Sequence, residues 1–171
     1  MKLNTHKQAE RSKAIYMAEL YLIRFAQASF GADDYDKLSE LGHKQSYALG
    51  KALASQGMQP DTLIMSVMPR HRETIEGIAK GIRLNAISAK MQTSLTEFDF
   101  TVLLNAKYSG LTLPEKMHTD RKTHFRILRK TVLEWQADDI DNPPETWTEF
   151  EQRIEVARKF LMRDGANTVL A

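Results

Sequence analysis

Thr62-Leu63-Ile64-Met65-Ser66-Val67-Met68-Pro69-Arg70 is a short apolar run that halts at a serine and passes, within a few residues, into helical spacing. An apolar run this short, bounded by polar residues, fits a buried strand ending at Ser66. Arg70 to Gly81 then reads as a helix with Ile75 and Ile78 turned inward. The same succession stands upstream. Leu20-Tyr21-Leu22-Ile23 is an apolar run that gives way to a loop at Arg24, and Ser39 sits where an N-cap belongs. Leu41, Gln45, Ala48, Leu49, Ala52 and Leu53 follow helical spacing from there. Gly57 is placed as the C′ residue, and Pro60 keeps the helix from resuming.

Downstream, Ala86 to Leu95 reads as a strand and its exit loop. Thr101 to Pro144 is polar and helical, with Phe125, Leu128, Val132 and Trp135 forming an amphipathic stripe until Asn142-Pro143-Pro144 breaks it. Thr146-Trp147-Thr148-Glu149 fits a capping box, in which hydroxyl and carboxylate satisfy each other's free N–H groups. The helix it opens carries Phe150, Ile154, Ala157 and Leu161 and is expected to reach about Met162; Asn167 to Ala171 is strand-like. Strands alternating with helices, with one helical excursion, predict an α/β fold around a mostly parallel sheet flanked by helices.

The chain has 171 residues, which suits one domain. Hydrophobic residues at 42% and charged residues at 27% are ordinary for a globular protein and exclude wholesale disorder. No apolar run approaches the ~20 residues of a membrane-spanning helix. No cysteine is present, so disulfides, thiolate nucleophiles and cysteine-bound metals are excluded. The cytoplasm is the default location. A formal charge of +2 is too balanced to point to nucleic acid. Residues 1–16, with Lys2, Lys7, Arg11 and Lys13, read as a basic N-terminal extension to a domain over 17–171. Either a tail or an arm that touches RNA or phosphate fits that extension.

Nucleotide-binding glycine loops, nucleophile elbows and zinc-binding helices are all missing. The five histidines lack metal-ligand spacing and read as solvated or capping residues, so no metal and no cofactor is expected. Gly77 and Gly81 lie four apart, a spacing that permits close helix packing. What stands out is a pair of arginines. Arg24 follows the first strand and Arg70 follows the second at a helix start, and ligands of parallel sheets bind beyond those strand ends. Two guanidiniums there would form an anion cradle, since their planar forks match phosphate oxygens. Glu97, after a third apolar stretch, is placed to add a carboxylic acid. Spacing alone leaves open the plainer reading of solvated surface residues.

At these residues the chain resembles the histidine phosphatase superfamily, the clan of cofactor-dependent phosphoglycerate mutases. Leu20 to Ser29 is similar to its opening strand and signature loop, which usually reads Arg-His-Gly. Leu38-Ser39-Glu40-Leu41-Gly42-His43-Lys44-Gln45 resembles its Leu-[Ser/Thr]-x-x-Gly-x-x-Gln helix start. Ser66, Arg70 and Thr74 resemble its second signature, Leu95-Thr96-Glu97-Phe98 the segment with its acid, and Trp147 to Arg153 its later helix. The resemblance spans about residues 17–171. It implies a three-layer, phosphoglycerate mutase-like sandwich with a helical insertion at about 100–150, and phosphoryl transfer through a phosphohistidine. It also implies that Arg24 and Arg70 bind phosphate, that Glu97 donates a proton, and that inorganic phosphate or a phosphorylated small molecule is the partner.

Two departures stand against that chemistry. Phe25 occupies the position of the nucleophilic histidine, and Ala26 that of the following glycine. The sequence also stops before the family's further active-site histidine, so the fold is expected to be C-terminally truncated. None of the remaining histidines lies in the signature loop, and His71, beside Arg70, is expected to point elsewhere. The expectation is a catalytically impaired member. The alternatives are a phosphate-ligand-binding or scaffold module and a hydrolase using another nucleophile or an activated water. Copies associating through an exposed sheet or helix face are compatible with either.

Overall fold

The computed structural model describes residues 19–29, 36–84, 89–112, 114–115, 120–162 and 168–170, the last as backbone. The basic extension over 1–16 lies outside these residues. Strand β1 (Glu19–Tyr21), helix α1 (Glu40–Ser55), β2 (Thr62–Met65), α2 (Pro69–Ile82) and β3 (Lys90–Met91) follow in order. A 3₁₀ turn at Thr93–Leu95 leads into α3 (Phe100–Lys107), α4 (Arg121–Gln136), α5 (Trp147–Leu161) and β4 (Thr168–Leu170). The sheet order is β1-β4-β2-β3 and each pairing is parallel, so the last strand inserts between the first two.

Side-chain alternation along the strands divides the core between two layers. Tyr21, Ile23, Leu63 and Met65 pack with Leu53 of α1 and Ile75, Ile78 and Ile82 of α2. Leu20 and Ile64 turn the other way, against Phe160 and Leu161 of α5. Successive strand residues point to opposite faces, so one four-residue run serves both layers. A three-layer α/β sandwich results. Among the described residues no helix is long and apolar enough to cross a membrane.

The ends of α1 follow the sequence closely. Ser39 Oγ accepts from the Gly42 N–H, and Gly57, at φ +78°, turns the chain out of the helix. The Gly57 N–H reaches Ala54 O at 3.0 Å and the Met58 N–H reaches Leu53 O at 3.1 Å, the paired bonds of a Schellman motif. The Thr146–Glu149 capping box of α5 is formed in both directions.

The buried faces differ from the apolar stripes. In α1 the buried residues are Gly42, Ser46, Gly50 and Leu53, while Leu41 and Leu49 are exposed. The reason is how closely α1 and α2 approach. A Cβ on Gly50 would lie 2.2 Å from Ile78 O, and one on Gly81 2.5 Å from Tyr47 O. The small residues are the contact, as the Gly77/Gly81 spacing predicts. In α4 the buried line is Ile127, Thr131 and Trp135, with Phe125 exposed, so the stripe is rotated from the one predicted. Ile154 of α5 is also exposed. The helical excursion has its own centre in Leu103, Trp135 and Ile140, joined by Phe98, Trp147 and Phe150.

Candidate functional site

The site forms beyond the C-terminal ends of β1 and β2, where the loop after β1 meets the first turn of α2. Three side chains from two helices hold that loop. Thr74 Oγ1 accepts from the Ala26 N–H at 3.0 Å and donates to Arg70 O at 2.7 Å. Gln45 Oε1 accepts from the Gln27 N–H at 3.1 Å. The hydroxyl of Ser39 donates to Gln27 Oε1 at 2.8 Å, while its N–H donates to Gln27 O. Gly42 lies under the same backbone: a Cβ there would stand 2.2 Å from Gln27 O. The Leu-Ser-x-x-Gly-x-x-Gln and Ser…Arg…Thr spacings are therefore the positioning hardware of the 24–29 loop.

The structure brings Arg24, Phe25, Arg70 and Glu97 together. The Phe25 ring centroid is 5.4 Å from the Arg24 guanidinium carbon and 4.7 Å from that of Arg70. Both distances are in the cation–π range. Arg24 is exposed to solvent and Arg70 is buried. Glu97 accepts from Arg70 Nη2 at 2.5 Å, and Arg70 Nη1 is paired with Asp36. Two guanidiniums and two carboxylates make the four groups formally neutral. Arg70 Nε is buried without a hydrogen-bond partner among the described residues.

His71 overturns an expectation. It does not point elsewhere: its ring stacks on Phe25, with centroids 5.3 Å apart and planes at 22°. Its Nδ1 is 2.8 Å from Ser66 Oγ, which also accepts from the Met68 N–H at 3.1 Å. Its Nε2 is buried without a hydrogen-bond partner among the described residues. Burial, followed by the Arg70 charge, pushes its pKa below the ordinary imidazole value, which Glu97 and Asp36 only partly offset. A local signal exists for the contact with Ser66, though not for the stacking on Phe25. His71 is the third residue of α2, and Ser66 five positions earlier supplies the hydroxyl that orients it.

A cavity of about 260 Å³ opens beside these residues, between the Leu22–Phe25 segment, Ile64–Ser66, Leu95 and the His71, Thr74 and Ile75 side of α2. Asp36 is the residue that spacing did not single out. Its partner Arg70 is 34 positions away, and only the folded loop brings them into contact. Among the described residues no cluster of three His, Cys, Asp or Glu is placed to hold a metal ion.

The family model described as histidine phosphatase superfamily (branch 1) matches residues 20–171. The chain belongs to the histidine phosphatase superfamily. Solved structures with a similar fold include the phosphoglycerate mutase of Bacillus anthracis. That pair has a TM-score of 0.57 and 19% identity over 91% of this chain and 75% of that one. The alpha-ribazole phosphatase of Shigella flexneri gives a TM-score of 0.58 and 18% identity over 88% and 71% of the two chains. A mycobacterial glucosyl-3-phosphoglycerate phosphatase gives 0.53 and 20% over 88% and 71%. No curated protein matches the chain significantly. At such identities the likeness to these structures concerns the fold.

Proposed function

We propose that this chain is a histidine phosphatase superfamily member that binds phosphorylated ligands without turning them over through a phosphohistidine. One observation carries the reading: the ring of Phe25 packs against both the Arg24 and the Arg70 guanidiniums, and the resemblance of Leu20 to Ser29 to the superfamily's signature loop assigns that position to a nitrogen lone pair. A phenyl ring has none, so no N–P bond forms there, and loss of a nucleophile in other enzymes costs as much as 10⁶-fold in kcat. Arg24 and Arg70 remain to take the phosphate oxygens, and Glu97 keeps the proton donor's position. The domain over 17–171 and a small phosphorylated partner belong to the same proposal.

The test is turnover. Purified protein is incubated with p-nitrophenyl phosphate and with a panel of sugar phosphates, and released phosphate is followed beside an Arg24→Ala control. The expectation is no release above the control. Turnover that survives further purification and disappears in Glu97→Gln contradicts the proposal.

A second reading, hydrolysis with another nucleophile, draws on His71, which stacks on Phe25 and whose Nε2 has no hydrogen-bond partner among the described residues. Nε2 is buried, so phosphorus reaches its in-plane lone pair only if the atoms that cover it move aside. Turnover lost in His71→Gln is the outcome that would favour it.

A further inference from the structure

We propose that Asp36 is a built-in competitor for anions at Arg70 and sets how tightly the site accepts a phosphate. This rests on reading Arg70 as a phosphate-binding residue. The Arg70 side chain is only 8% exposed, and its two terminal nitrogens are each taken by a different carboxylate, Asp36 on Nη1 and Glu97 on Nη2. The five N–H groups of a guanidinium leave room for more than two acceptors, but a phosphate that approaches the end formed by Nη1 and Nη2 meets a carboxylate at both nitrogens. Glu97 has the acid's position in the reading above. Asp36 has no part in that chemistry, yet it holds the opposite half of the fork.

The backbone around Asp36 is fixed to the same helix that carries Arg70. Ala28 and Leu38 form an antiparallel bridge, and the Ser29 N–H donates to Lys37 O at 2.9 Å. The Leu38 N–H donates at 2.8 Å to Glu73 Oε2, three residues beyond Arg70 on α2. Leu38 is itself buried. The carboxylate is thus delivered to Arg70 by a clamped segment, while about a third of its side chain stays open to solvent. It is held close but can be displaced.

Two consequences follow from charge. With Asp36 in place, an incoming phosphate dianion meets a like charge across one guanidinium, which at an effective dielectric near 20 opposes binding by more than about tenfold. Without that charge, the buried guanidinium keeps Glu97 as its one counter-charge among the described residues, and a buried cation with less compensation favours recruitment of an anion.

The experiment is titration of the full chain with inorganic phosphate by calorimetry, in low salt at pH 8, comparing wild type with Asp36→Asn and Asp36→Glu. Asp36→Ser is a second neutral variant, and thermal unfolding without phosphate checks that each protein folds. The neutral variants should bind at least about tenfold more tightly than wild type, with the gain shrinking as salt is raised. Asp36→Glu should show no gain. Wild-type binding with no gain in the neutral variants overturns the role of Asp36 and leaves the binding reading standing. Binding by the neutral variants alone supports the role of Asp36 and overturns phosphate binding by the wild type. Absence of binding in every protein overturns both.

Discussion

On the proposed reading Phe25 decides the chemistry by what it lacks, and its ring packs against cationic and aromatic neighbours. The Arg70 guanidinium and the His71 imidazole both pack on that ring. The imidazole is held neutral there by burial and by the neighbouring arginine. Its pKa is lower folded than unfolded, so its contribution to stability is complete above the ordinary value of about 6.5. That contribution is lost as pH falls through 6.5 toward the depressed folded value, because the unfolded chain then binds the extra proton. Denaturant unfolding of the wild type from pH 7.5 to 5 should show this decline, and in His71→Gln the decline should be shallower. Equal slopes would mean that the ring is solvated.

At the scale of elements, α1 and α2 work as one unit that grips the loop after β1. Gly50 and Gly81 let the two helices meet backbone to backbone, and Thr74 and Gln45 then reach the N–H groups of Ala26 and Gln27. Alanine ordinarily improves a helix over glycine by about 1 kcal/mol. At Gly50 the added methyl would meet Ile78 O, so Gly50→Ala should instead destabilise by about 2 kcal/mol in urea unfolding. A stabilised variant would mean that the helices sit farther apart. Much of this unit was legible in the sequence: Ser39 as cap, Gly57 as stop, β2 in full, and the glycine spacing. The buried face of α1 was not. Hydrophobic periodicity points to Leu41 and Leu49, whereas a close helix crossing buries the small residues that periodicity ignores. The Asp36–Arg70 pair and the stacking of His71 on Phe25 were hidden for a related reason: each joins residues from separate segments, and no local spacing encodes the contact.

At the scale of the molecule, α5 couples the helical excursion to the site. Arg153 binds Glu145 in bidentate fashion, at 3.0 Å and 2.5 Å, and also donates to the carbonyls of Ser94 and Thr96, the latter adjoining Glu97. It therefore ties the Glu97 segment to the layer that α5 contributes. Arg153→Ala should cost about 2 kcal/mol of unfolding free energy, between the values for exposed and buried pairs, with Arg153→Lys recovering only part. A loss below about 0.5 kcal/mol, as for surface substitutions, would mean that the clamp is ornamental. The alternation of β1 and β2 between two helical layers completes the scaffold and places Arg24 and Arg70 beyond the C-terminal ends of the two strands that flank β4.

The most direct test of the central claim is thermal unfolding of the wild type with and without inorganic phosphate, beside Arg24→Ala and Arg70→Lys. Phosphate at 100 times its Kd should stabilise the wild type by about 2.7 kcal/mol. The shift should be present in the wild type and reduced in Arg24→Ala and in Arg70→Lys. A wild type that phosphate does not stabilise, or a shift of the same size in both variants, would contradict that claim.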